Sequence, residues 1–245
     1  MAERNMDLEF QDNSERLYSY DVDTIVRGHL LRRLEPEMRK SGRVLELGSY
    51  QGDMTAQLLE YFDQVDVIEG SPVLSDQVRK RFPERVHVTT GLFEEVSPRG
   101  LYENIFLVHT LEHLDDPEAV LARISEWIAP GGRLFIAVPN ANALSRQIAV
   151  LMGLIPFNSA VTDAEFTHGH RRTYSLDTLL AAVRVAGLQV HDYGGVVVKP
   201  LANFQFDSAL KNGIVTRDFI SACDSLAKTF PDLSSSIFVT CGARP

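Results

Sequence analysis

A chain of 245 residues is long enough for one large domain, or for a core carrying a substantial cap. Its net charge of -9 opposes the basic field that phosphate backbones require, so no nucleic-acid partner is expected. The 44% hydrophobic and 23% charged shares are those of an ordinary globule, and the longest helical apolar stretch, Ile148–Leu154, is too short to span a bilayer, so no membrane partner is expected.

Residues 1–21 are polar with scattered aromatics, among them Tyr18 and Tyr20, and read as a tail or a lid. From Val22 to Met38, apolar residues at Ile25, Val26, Leu30, Leu31 and Leu34 follow helical spacing. An alternation then begins: strand Arg43–Leu47, helix Asp53–Tyr61 capped by Asp53, strand Val65–Glu69, helix Val73–Arg81 and strand Val86–Thr89. Asn104–His109 reads as a fourth buried strand, Pro117–Ile128 as a helix capped by Asp115 or Asp116, and Arg133–Pro139 as a fifth strand after the breaker Ala129-Pro130-Gly131-Gly132. Five βα units in a row predict a parallel sheet covered on both faces, with ligands outside the carboxyl ends of the strands. Beyond it come a helix near Leu144–Met152, a loop holding His168, His170, Arg171 and Arg172, and a helix over Ser175–Ala186. A sixth strand in Leu188–Val198 is interrupted by Gly194-Gly195, an insertion over 199–234 is helical near Asp218–Thr229, and Ser236–Cys241 is the last strand. The basic clusters Arg27–Arg33 and Arg79-Lys80-Arg81 read as solvated helix faces.

The stretch Val44-Leu45-Glu46-Leu47-Gly48-Ser49-Tyr50-Gln51-Gly52 is a buried strand feeding a tight turn. Gly48 and Gly52 let a ligand approach the backbone. Glu69, ending the next strand, places a carboxylate where it can accept both hydroxyls of a ribose. A dinucleotide site needs G-x-G-x-x-G, and a P-loop ends in G-K-[ST]; this turn has neither. Glu46 repels pyrophosphate but suits an ammonium or sulfonium. The turn therefore favours S-adenosylmethionine (SAM) over NAD or ATP.

Four segments together resemble the class I, Rossmann-like SAM-dependent methyltransferases: Val44–Gly52, Ile68-Glu69-Gly70-Ser71, His109-Thr110-Leu111-Glu112-His113-Leu114 and Ile128-Ala129-Pro130-Gly131-Gly132. The resemblance implies a seven-stranded, mostly parallel α/β sheet with helices on both faces and a helical cap. It implies three regions: an N-terminal lid and helix over 1–40, a SAM-binding core over 41–140, and the rest of the same domain over 141–245 with cap insertions at 141–174 and 199–234. By the same resemblance Glu46, Gly48, Ser49, Gln51 and Gly52 surround the methionyl part of SAM, and Glu69, Gly70 and Ser71 hold the ribose. Leu92 and Phe93 flank the adenine, though many relatives carry an acid at the position of Leu92, and His109 with Leu111 lies under the methionyl group. Tyr50 stands where the family loop has its middle glycine. The second half, in Val138-Pro139-Asn140-Ala141 and His168–Ser175, resembles bacterial small-molecule and natural-product methyltransferases, with toxoflavin-type N-methyltransferases one comparison.

His113, beside Glu112 at the lip of the expected cleft, is the candidate base or orienter. Tyr20, His168, His170, Tyr174 and Phe204 are the candidate substrate contacts. No further Asp or His spacing completes a ligand set, so no metal is expected. Cys223 and Cys241 read as reduced thiols, and residues 1–7 carry acids without an apolar run, so a cytoplasmic chain without a signal peptide is expected. The reading is methyl transfer from SAM to a small polar or heteroaromatic acceptor. Nitrogen is favoured over oxygen because no dedicated base stands out; the O-methylated alternative is a sugar or quinone-like precursor. A NAD-dependent reductase and a noncatalytic SAM-fold partner protein are the rivals from other classes.

Overall fold

The computed structural model describes residues 21–244. Tyr18, Tyr20 and all but the last residue of the expected lid therefore lie outside the described residues. In chain order the elements are α1 (Asp21–Leu34), β1 (Val44–Leu47), α2 (Asp53–Leu58), β2 (Val65–Glu69), α3 (Pro72–Arg81), β3 (Val86–Thr90), β4 (Tyr102–Val108) and α4 (Pro117–Ser125). They continue as β5 (Ile128–Pro139), α5 (Leu144–Leu151), α6 (Asp163–Thr167), α7 (Leu176–Val185), β6 (Gln189–Val196), α8 (Asn203–Lys211), α9 (Arg217–Ala227) and β7 (Ser236–Gly242).

The strands form one seven-stranded sheet in the order β3-β2-β1-β4-β5-β7-β6. β1 to β5 pair in parallel, whereas β7 runs antiparallel to both of its neighbours. Successive side chains of a strand point to opposite faces, and the buried residues sort accordingly. Leu45, Leu47, Ile105, Leu107, Leu134, Ile136, Ile237 and Val239 pack on one face with residues of α4 and α7. Val44, Phe106, Phe135, Ala137 and Phe238 pack on the other with α1, α2, α8 and α9. Phe106 and Phe135 stack there at 4.7 Å. Both faces are thus dry, which explains the near-continuous apolar runs of the central strands.

Several boundaries differ from the expected ones for identifiable reasons. β5 begins at Ile128 and runs through Pro130-Gly131-Gly132. Gly131 takes φ +74, and a side chain on Gly132 would meet the carbonyls of Ala129 and Tyr102 at 2.9 Å, so these glycines shape the strand instead of ending it. β6 likewise passes through Gly194-Gly195, where a Cβ on Gly195 would collide with Ser234. Gly52, not Asp53, is the N-cap of α2; Asp53 is its first residue and pairs with Arg81 at 2.8 Å. Asp116 caps α4 by accepting from the Ala119 N–H. The loop expected around residue 163 contains α6, started by a reciprocal Thr162–Glu165 capping box. The 199–234 insertion holds two helices, α8 as well as α9.

The crossover from β1 leads to β2 on one side, while β4 lies on the other. A crevice opens at such a reversal of strand order, beyond the carboxyl ends of the strands. Helix α1 reaches over this end and is tied to the second insertion. Asn203 Nδ2 donates to Asp23 at 2.8 Å, and the Val22 N–H donates to the buried Asp207 at 3.2 Å.

Candidate functional site

The turn after β1 is built on left-handed backbone. Gly48 takes φ +78 and Gly52 φ +83. Tyr50 takes φ +49, so the position where the family loop carries glycine keeps a glycine-like conformation under a side chain. A Cβ on Gly48 would sit 2.7 Å from Thr110 Oγ1, which itself donates to the Leu47 carbonyl. Gly48→Ala is therefore expected to destabilise the protein by about 2 kcal/mol through strain and clash, measurable as a lowered urea midpoint.

Glu69 ends β2 facing this turn. Its Oε2 accepts from the Ser49 N–H at 2.9 Å, the Tyr50 N–H at 3.0 Å and Ser49 Oγ at 3.2 Å; its Oε1 accepts from the Ser71 N–H at 3.0 Å. Burial raises this carboxyl above the usual range, opposed by those donors. Glu46, at the end of β1, is 2% exposed. Its Oε2 accepts from Thr55 Oγ1 at 2.6 Å, while Oε1 is buried with no hydrogen-bond partner among the described residues. Desolvation pushes its pKa up to about 8.

A cavity of about 450 Å3 lies in the crevice. The β1 turn contributes Gly48, Ser49 and Tyr50; the ends of β4 and β5 contribute His109, Glu112 and Asn140. The first insertion adds Arg146, Glu165, His168 and His170, and the second adds Lys199, Ala202 and Asn203. His109 adopts φ +52, and its Nε2 lies 3.1 Å from Ser236 Oγ. Burial drives its pKa down to about 3, so the ring is neutral.

Of the residues singled out in the sequence, Gly48, Ser49, His109, His168 and His170 border this cavity directly. Glu46, Gly52, Glu69, Gly70 and Ser71 stand behind the turn; Ser71 caps α3 through the Leu74 N–H. Gln51 is exposed, Leu92 is half-buried after β3, and Phe93 and Leu111 are in the core. Tyr174 is also core: its carbonyl accepts from the Ala141 N–H, and its ring packs among the residues around α7. Phe204 is 60% exposed and does not border the cavity.

Arg27, Arg146 and Lys199 are cavity cations that escaped the sequence reading. Arg27, assigned to a solvated helix face, instead turns from α1 into the cavity. Lys199 is 3% exposed, donates from Nζ to the Leu201 carbonyl at 2.9 Å, and is pushed down to about 8 by desolvation. The signal for Arg27 was its place one residue after the buried Val26, on the inner side of the helix.

A further feature is a cluster. The His168–Ser175 segment is clamped onto the turn after β4: the Arg171 N–H donates to the Glu112 carbonyl at 2.9 Å, and Arg172 Nη2 donates to the carbonyls of Leu114 and Asp115. This brings the His170 ring to 4.6 Å from the His113 ring, edge to face. Glu112, His113 and His170 offer donor atoms within 4.8 Å of one another. No spacing in the sequence completes a ligand set; the fold brings His170, from a distant segment, beside Glu112 and His113. Glu112 is 2% exposed and raised to about 8 by burial, and burial lowers His170 below the ordinary imidazole value.

A methyltransferase-domain family matches residues 18–193. The chain belongs to this family. It is a class I, Rossmann-like SAM-dependent methyltransferase, which accounts for both the sheet order and the glycine turn. The methyltransferase is 27% identical over 183 residues to a ubiquinone biosynthesis O-methyltransferase of Xanthomonas axonopodis pv. citri, covering 70% of this chain and 71% of that one. In fold it is similar to a SAM-dependent methyltransferase from Mesorhizobium loti, with TM-score 0.62, 15% identity, and 86% and 95% of the two chains covered. It is equally similar to a Thermotoga maritima methyltransferase described as a possible histamine N-methyltransferase, with TM-score 0.62, 16% identity, and 96% and 100% covered. Among the described residues no helix is long and apolar enough to cross a membrane.

Proposed function

We propose that this methyltransferase transfers a methyl group from SAM to an oxygen atom of a small polar or heteroaromatic acceptor. The cavity at the strand-order reversal carries the reading, because it joins the glycine turn to the polar insertions in one space. Its volume of about 450 Å3 falls in the range of small-ligand sites.

The residues fit the cofactor. The unpaired Glu46 Oε1 behind the turn suits an ammonium, Arg27 suits a carboxylate, and Glu69 stands where ribose hydroxyls would exchange with its loop donors. SAM, when bound, supplies a methyl group already activated on a sulfonium. The chain's own task is to align the acceptor, exclude water and manage one proton. Arg146 holds the first insertion over the cavity through Glu165 at 2.6 Å and the carbonyls of Asn158 and Ala160. Lys199, Asn203 and Ser236 give an acceptor polar partners on the opposite wall.

The case for nitrogen rested on the lack of a dedicated base. The cluster of Glu112, His113 and His170, which reaches the cavity edge through Glu112 and His170, weakens that ground, because such a group can promote loss of the proton of a hydroxyl acceptor. The printed name of the Xanthomonas relative points the same way. Titrating the purified protein calorimetrically with S-adenosylhomocysteine (SAH), with NADH as control, is the direct test. Micromolar or tighter SAH binding with no NADH binding is expected. Folded, ligand-free protein that ignores SAH would refute the reading.

A further inference from the structure

We infer that Glu112, His113 and His170 form a binding site for one divalent transition-metal ion, of the zinc, manganese or cobalt kind. Three independent observations converge on it. The donor atoms of the three side chains lie within 4.8 Å of one another. Around an ion held at about 2.1 Å from each ligand, neighbouring donors are roughly 3–3.5 Å apart, a spacing that small side-chain adjustments reach from here.

The second observation is the carboxylate. Glu112 is 2% exposed, and neither of its oxygens has a hydrogen-bond partner among the described residues. A buried carboxylate with both oxygens unmatched is costly, and a cation removes that cost directly. No guanidinium or ammonium lies within ion-pair distance of it among the described residues. Arg171 and Arg172 are the nearest cations in sequence; Arg171 pairs with Asp115 at 3.4 Å and Arg172 Nη2 donates to the carbonyls of Leu114 and Asp115, while the charge of Arg27, on the same cavity, opposes the raised pKa of Glu112 without pairing with it.

The third observation is how the cluster is built. His113 and Glu112 are neighbours in the short helical turn Leu111–His113, whereas His170 arrives from the first insertion. The backbone bond from Arg171 to the Glu112 carbonyl and the two bonds from Arg172 fix that arrival. The ligands are therefore pre-positioned by one main-chain bond and by the Arg172 side chain on main-chain carbonyls. Such a rigid support keeps an open metal site from collapsing.

Two imidazoles and one carboxylate are the donor set of open, three-ligand metal sites, and they disfavour magnesium, which takes oxygen ligands. Glu112 and His170 border the main cavity, so the unfilled positions of the ion face the space assigned to the acceptor. The ion would hold an acceptor through an oxygen; that role, unlike the site itself, rests on the methyltransferase reading.

The test uses the full chain, stripped with EDTA and then titrated with zinc or cobalt chloride without SAM or SAH. One ion per chain is expected, with cobalt giving a visible d–d absorption band. His170→Ala should weaken zinc binding at least thirtyfold and abolish the cobalt band. Glu112→Gln, which preserves shape, should do the same should the alanine variant fold poorly. SAH affinity should stay within about twofold in both variants, so loss of metal and loss of cofactor remain distinguishable. Absence of binding, or unchanged zinc affinity in both variants, would overturn the inference. Equal binding of magnesium would overturn its donor chemistry.

Discussion

Replacing Glu69 by alanine is expected to weaken SAH binding at least a hundredfold, about 3 kcal/mol. The effect has two sources that point the same way. The carboxylate accepts from the N–H groups of Ser49, Tyr50 and Ser71 together, so its loss takes a shared anchor from the turn after β1. Hydrogen bonds to a charged group are worth about 1.5–3 kcal/mol each, and Tyr50 is already held at φ +49, so the turn relaxes when they go. The ribose loses its acceptor in the same step. Glu69→Gln keeps the volume and one carbonyl oxygen, and should fall between wild type and alanine. Calorimetry with SAH and thermal unfolding followed by circular dichroism check both parts. The alanine variant should lose affinity by far more than the melting temperature shift accounts for. Equal SAH affinity in the wild-type and alanine proteins would remove Glu69 from the cofactor site.

The strands and their order of appearance were legible because the central strands are buried on both faces. Val44–Leu47, Val65–Glu69, Tyr102–Val108 and the Leu134–Val138 part of β5 show as largely apolar runs. The glycine turn was legible for the same reason, being local and placed directly after a strand. The continuous course of β5 and β6 was not. Gly131-Gly132 and Gly194-Gly195 look like breakers in sequence, but Gly131 supplies a φ of +74, Gly132 makes room for the carbonyls of Tyr102 and Ala129, and Gly194 and Gly195 make room for Phe238 and Ser234. Only the folded neighbours reveal that. The cavity was half legible. His109 was singled out by the family resemblance and His170 by residue type, but the meeting of His170 with Glu112 and His113 depends on the Arg171 and Arg172 clamp across distant segments. Arg27 and Lys199 were lost because a cation in a helix or loop ordinarily means solvent. Tyr174 erred in the other direction: an aromatic beside a candidate loop here fills the core.

The stability of the ligand-free protein is expected to fall as pH rises from about 7 to about 8, above the range in which the buried His109 and His170 act with the opposite sign, and Glu46→Gln should flatten that fall. Glu46 has its pKa raised from 4.5 to about 8, chiefly by desolvation, with the Glu69 carboxylate adding to the shift and Thr55 and Arg27 opposing it. In this window the native state keeps a proton that the unfolded chain has already released. Unfolding is then favoured progressively as pH rises, and the loss is complete above the native pKa. For one fully buried carboxyl the effect, taken over the whole span between its unfolded and native pKa values, is on the order of a few kcal/mol. Glu112, raised to about 8 by burial, contributes with the same sign, so the variant flattens the slope without abolishing it. Urea unfolding across the pH range, with EDTA present, measures this; parallel curves for the two proteins would refute the assignment. A second consequence separates function from stability. An ammonium seated beside Glu46 favours its charged form, so SAH binding at pH 7 should release a proton from the wild type but not from Glu46→Gln. The wild type should accordingly show binding heats that vary with buffer ionisation enthalpy, and the variant should not. Identical buffer dependence in both proteins would place the ammonium elsewhere.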